Sequence, residues 1–146
     1  MYSLAPRVGN ALAGLAIAAG LALAPAPPAH ADSTGEGATV TSLLSEKLPN
    51  VPGKTLYVVQ VDYRPGGFSA PHRHPASGFV VAYVVSGEIR SQVEGEPLRV
   101  YRAGQSWTEP PNAHYLVSAN ASKTAPARLI AYVIADDGVQ PTVYDK

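Results

Sequence analysis

Residues 66–87 read GGFSAPHRHPASGFVVAYVVSG: two histidines one residue apart, a short turn, then an unbroken apolar run closed by a glycine. The run Phe79–Val85 is too short for a buried helix, is rich in β-branched residues and is bounded by Gly78 and Gly87, so it reads as a strand covered on both faces. Extended backbone puts alternate side chains on one face, so His72 and His74 point the same way with Cα atoms about 6.5–7 Å apart. Two imidazoles so placed can converge on one ion at about 2.0–2.1 Å. Arg73 points to the opposite side.

Outward from this stretch the same texture repeats. Runs of Val, Ile and Tyr at Thr55–Tyr63, Phe79–Val85, Glu88–Val93, Leu98–Arg102, Ser106–Thr108, His114–Ser118 and Ala127–Ala135 alternate with turns at Pro65-Gly66-Gly67, Ser86-Gly87, Glu94-Gly95, Ala103-Gly104, Pro110-Pro111-Asn112 and Asp136-Asp137-Gly138. Short strands at even spacing imply an all-β sandwich or barrel. Residues 32–54 are polar and mixed, and read as an extended N-terminal arm or loop with a short helical piece at Ser42–Lys47 as the alternative. Leu129–Ile134, like Phe79–Val85, is apolar on both faces. One face belongs to the domain's own core, and the other is left for a second sheet, the N-terminal arm or a partner subunit, with a homodimer the favoured expectation.

The first 31 residues have a different character. Arg7, the apolar stretch Ala11–Leu23 and Ala29-His30-Ala31 form the three parts of a secretory signal, with Pro25, Pro27 and Pro28 breaking any helix before the cut. The stretch falls short of the roughly 20 residues that span a bilayer. The expected mature protein begins near Asp32 in a periplasm or outside the cell. The whole chain of 146 residues carries 11 basic and 11 acidic groups. Losing Arg7 leaves the mature chain near neutrality, with no field for nucleic acid or anionic membranes. It has no cysteine, which excludes disulfides, thiolate nucleophiles and thiolate metal sites. Of four histidines, His72, His74 and His114 remain.

A second stretch, GQSWTEPPNAHY at 104–115, carries the third histidine. Gly66, five residues, His72-x-His74, an apolar strand and Gly87, followed by Gly104, five residues, Pro110, Asn112 and His114, resembles the paired motifs of the cupin superfamily over about Thr55–Ala135. The resemblance implies a double-stranded β-helix, the jelly-roll barrel, over residues 55–146. It also implies one divalent metal (Fe, Mn, Ni, Co, Cu or Zn) held by His72, His74 and His114. The sequence departs from the pattern at the acid of the first motif, whose place falls on Gly78, Phe79 or Val80. It departs again at Asn112, in the place of a glycine, and at the last histidine, which spacing from Pro110 puts at Tyr115, one position beyond His114.

Glu109, Gln105 and Gln92 are candidates for a fourth ligand or for supporting groups, and Trp107, Tyr115, Tyr83 and Phe79 for a pocket. No catalytic residue is assigned. Two functions stand open: a metal-dependent oxygenase or isomerase-like enzyme acting on a small organic molecule, and a non-catalytic module that captures a metal or small ligand at a degenerate site.

Overall fold

Valine, isoleucine and tyrosine runs bounded by glycine and proline turns become strands, because branched and aromatic side chains pack well on a pleated surface. The computed structural model describes residues 31–32 and 35–145, and holds no helix among them. The strands are β1 (Ala31–Asp32), β2 (Ala38–Lys47), β3 (Lys54–Tyr63), β4 (Phe68–Ser69), β5 (His72–Arg73), β6 (Phe79–Ser86), β7 (Glu88–Val93), β8 (Arg99–Arg102), β9 (Ser106–Glu109), β10 (His114–Asn120), β11 (Ala127–Asp136) and β12 (Val143–Tyr144). One sheet runs β1-β2-β3-β11-β6-β9 and the other β12-β5-β10-β7-β8, with β4 also paired to β10. The two face each other as a jelly-roll barrel. The leader read over residues 1–31 lies outside the described residues apart from Ala31.

Residues 32–54 depart from the arm or helical piece expected of them. Ala38–Lys47 is a full strand antiparallel to β3, from Ala38 opposite Tyr63 to Lys47 opposite Thr55. The register slips between Ser42 and Leu44. That irregularity breaks the period-two alternation by which a strand is recognised, and the polar outward side chains hide the rest.

The core lies between the sheets. Val80, Ala82 and Val84 of β6 point inward with Leu129 and Val133 of β11, and Ile89 of β7 meets Val84 and Leu129 from the other sheet. Full burial of each of these larger aliphatic groups contributes about 1.5–3 kcal/mol. The alternate residues point out. Phe79, Tyr83, Tyr132 and Ile134 are 39–45% exposed on the outer face, where Ile134 stands opposite Phe79 across the ladder. Phe79 and Tyr83, candidates for the pocket, therefore lie on the wrong side of the sheet for it. Inward alternation belongs to Val80, Ala82 and Val84.

Two turn positions carry the geometry between motifs. Asn112 takes φ of 61°, accepting the left-handed backbone in place of a glycine. Gly87 links β6 to β7 with φ of 73°, and a Cβ there would lie 2.7 Å from Ala127 Cβ and from the Pro126 carbonyl oxygen. Gly95 has a similar φ of 83° but open space around it. Gly95→Ala is expected to cost about 1 kcal/mol from backbone strain alone. Gly87→Ala is expected to cost about 3 kcal/mol, because the added methyl group also overpacks the β6–β11 seam. Urea unfolding of the two variants checks the difference.

Candidate functional site

The site is assembled by register. β5 lies between β10 and β12, with His72 opposite Tyr115 and Tyr144, and Arg73 opposite His114 and Val143. Residues directly across a ladder share a face. Tyr115 thus enters the barrel with His72, while His114 leaves it with Arg73. On the other sheet, Glu109 pairs with inward Val80 and Trp107 with inward Ala82, so both reach the same interior.

His72, His74, Glu109 and Tyr115 are all buried, from 2% to 8% exposed. The His72 and His74 rings stand 5.3 Å apart at 85°, and the Tyr115 ring stacks on His72 at 5.1 Å. Each histidine is oriented by a carbonyl: His72 Nδ1 donates to Ala70 O at 2.9 Å and His74 Nδ1 to Pro141 O at 2.7 Å. A carbonyl only accepts, so the proton sits on Nδ1 and a neutral ring presents its Nε2 lone pair.

Glu109 faces them. Tyr115 Oη donates to Glu109 Oε1 and accepts from Trp107 Nε1 at 2.7 Å and Ser91 Oγ at 3.4 Å. Glu109 Oε2 lies 3.1 Å from His74 Nε2, close enough for an ion pair, yet this buried oxygen has no well-directed hydrogen bond. Burial lowers the His72 pKa and keeps the ring neutral. For His74 burial pulls the same way, but contact with Glu109 and its charge outweighs it and the pKa rises. Burial, then the Glu109 charge, pushes the Tyr115 phenol up. Tyr63 Oη is bonded to Ser69 and Ser118 at 2.8 Å each, and burial pushes it up to about 12.

These groups line an inner cavity of about 50 Å³. That is room for an ion and a little water, far below the roughly 300–1,000 Å³ of drug-sized pockets. Trp107 also walls a groove of about 490 Å³, together with Tyr101 and Arg99. Trp107 and Tyr101 stack there at 4.2 Å.

The other candidates do not reach the interior. His114 turns outward, Nδ1 toward Arg73 and Glu94 at 3.0 and 3.1 Å and Nε2 toward Asp145 at 2.8 Å. The place inside the barrel expected of His114 is taken by Tyr115, because the β5–β10 register admits only one of the two neighbours. Gln105 Oε1 accepts from Arg102 N within an exposed turn, and half-buried Gln92 donates its Nε2 proton to Glu96 O. Tyr63, Tyr144 and Pro141 enter the site without having been singled out from sequence. The Asn120 side chain, an N-glycosylation pattern in the sequence, is 1% exposed and bonds Arg64 O and Ala125 O.

A family model described as the cupin domain matches residues 59–133. The chain belongs to the cupin family. This cupin is 40% identical over 62 residues to germin-like protein subfamily 2 member 2 of Arabidopsis thaliana, covering 42% of this chain and 27% of that protein. Member 5 of the same subfamily is 34% identical over 59 residues. The chain thus spans about a quarter of the length of these curated relatives. Among solved structures it is similar to an oxalate oxidase in complex with the substrate analogue glycolate, at TM-score 0.58 and 25% identity over 79% of this chain and 59% of that one. A cupin-like protein of Thermotoga maritima shares the fold at TM-score 0.56 and 23% identity, covering 80% and 84%.

The metal that such a fold implies can be tested against these side chains. Among the described residues no three His, Asp or Glu already close around one point. The two donors that stand together are His74 Nε2 and Glu109 Oε2, 3.1 Å apart. The unsatisfied Glu109 oxygen beside a ring tied by its other nitrogen is an arrangement that a cation completes. The donors fit.

The two buried phenols lead to a pH effect. A pKa raised above the unfolded value near 10 means that the folded chain holds its proton more tightly. Stability is fully present below pH 10 and is lost as pH rises toward 12, at about 1.4 kcal/mol per pH unit for each such tyrosine. Melting temperatures between pH 9 and 12 should fall more steeply for the parent than for Tyr63→Phe.

Proposed function

We propose that this cupin is an exported protein that binds one divalent metal ion through His72, His74 and Glu109 and takes a small organic acid as its ligand or substrate. The observation that carries the reading is the buried Glu109 oxygen set against His74 Nε2, with the opposite nitrogen of that ring held by Pro141. Two imidazoles and a carboxylate suit Mn, Fe, Co, Ni or Zn. Carbonyls that fix the far nitrogens are the usual support of metal-bound histidines. Such an ion supplies Lewis-acid polarisation of a ligand oxygen.

Tyr115 keeps its proton, holds Glu109 by one oxygen and leaves the other for the ion. A divalent ion held by one carboxylate and two imidazoles leaves net positive charge at the site, which favours an anion as ligand. The similarity to an oxalate oxidase holding glycolate points to the same chemistry. A second reading, capture without turnover, is favoured by Tyr115 Oη being fully engaged, which leaves it unavailable as a base.

Calorimetric titration of the mature, metal-free protein with Mn²⁺ and Co²⁺ is expected to show one site. His72→Ala, His74→Ala and Glu109→Gln should each weaken it at least about 100-fold, while His114→Ala should still take up the ion. A parent that binds neither ion, or a His114→Ala loss equal to that of His72→Ala, overturns the assignment. Oxalate and glycolate added to the loaded protein then separate turnover from capture.

The outer face bearing Phe79, Tyr83, Tyr132 and Ile134 supports pairing of two copies. Sedimentation at micromolar concentration should give a particle of twice the monomer mass, reduced to a monomer by Tyr83→Lys with Tyr132→Lys.

A further inference from the structure

The chain after β11 comes back to the histidines. β12 adds to the edge of β5, Tyr144 opposite His72 and Val143 opposite Arg73. Asp145 N donates to Pro71 O at 2.9 Å. The Tyr144 ring stands 5.5 Å from that of His72 and walls the inner cavity. Pro141 O receives the His74 Nδ1 proton. Asp145 Oδ2 takes the His114 Nε2 contact at 2.8 Å.

We propose that residues 141–145 are a strap that belongs to the site: it fixes the tautomer and orientation of His74, closes the cavity with Tyr144, and is latched at its far end by His114 through Asp145. The metal-site reading gives this arrangement its purpose, but the hold on His74 is a property of the ion-free protein as well.

Among the contacts that hold the strap are a two-residue ladder, one further backbone bond, the His74 Nδ1 bond to Pro141 O, the Tyr144 ring against His72 and an ion pair whose aspartate side chain is 42% exposed, and Val143 is 52% exposed. Pairs at such exposure contribute little. The strap bears on the site because the carbonyl it supplies is the partner of His74 Nδ1. When the strap lifts, that proton loses its acceptor, the ring is free to exchange tautomers, and the Nε2 lone pair no longer faces Glu109 at all times. The Tyr144 wall leaves with it, so the cavity opens. His114, whose place in the sequence suggests a ligand, acts instead from the outside: Arg73 and Glu94 hold its Nδ1 side and its Nε2 holds Asp145.

The test uses the parent, a chain stopped after Gln140 and Asp145→Ala. Imidazole ¹⁵N spectra of the metal-free proteins at alkaline pH, where the rings are neutral, are expected to show His74 as the single Nδ1–H tautomer in the parent. A mixture is expected in the shortened chain and a smaller shift in Asp145→Ala. Co²⁺ titration followed by visible absorption should be about tenfold weaker in the shortened chain and about two- to fivefold weaker in Asp145→Ala, with the Asp145→Ala melting temperature close to the parent's. A strap that only stabilises the fold would lower the melting temperature and leave both the tautomer and Co²⁺ affinity unmoved. That result in Asp145→Ala, or in a shortened chain that folds, overturns the proposal. If the shortened chain does not fold, Asp145→Ala decides. If the parent takes up no Co²⁺, the metal reading fails, and the tautomer comparison still decides the strap.

Discussion

The pairing of His72 with Tyr115 across two strands is the constraint on which the site depends. Side chains opposite each other on a ladder share a face, so this one register places a phenol inside the barrel, sends His114 out and leaves Arg73 beside it. The β6–β9 ladder does the same for Glu109 and Trp107. Slipping either ladder by a residue would reverse every one of these positions. The chemistry of the interior is thus set by backbone hydrogen bonds before any side chain contributes.

What the registers bring inside is costly. A carboxylate at 3% exposure gives up its hydration, a loss of several kcal/mol unless partners replace it. Tyr115 restores one oxygen and the His74 contact part of the other. The phenol is itself stabilised by Trp107 and Ser91, so the network extends from β9 through β10 to β7. Removing a single member leaves the rest desolvated and unpaired, which is why such networks respond to substitution as units.

The strands with strong period-two or wholly apolar patterns were legible from residues alone, and β3, β6, β7, β9, β10 and β11 begin and end within about two residues of the expected runs. β2 was not, because its bulge breaks the alternation. His72 and His74 were legible as a pair on one face. The third histidine misled, since a displacement of one place in a turn is invisible to motif spacing but decisive for a strand. The count from Pro110 pointed to Tyr115, and only the register could choose between the neighbours. Pro141 and Tyr144 lie beyond the motifs, in a segment whose importance comes from a backbone carbonyl that no sequence pattern marks.

Tyr63 has a consequence for where the chain can fold. Its hydroxyl, rooted in β3 of one sheet, grips Ser69 of β4 and Ser118 of β10 in the other. In a barrel without cysteine this buried relay of three hydroxyls does the joining that sulfur does in many exported domains. No oxidant is needed to form it and no thiol can undo it. The two sheets are therefore tied equally well in a reducing cytosol and an oxidising exterior, and the fold carries no record of the redox state of the compartment in which it was made.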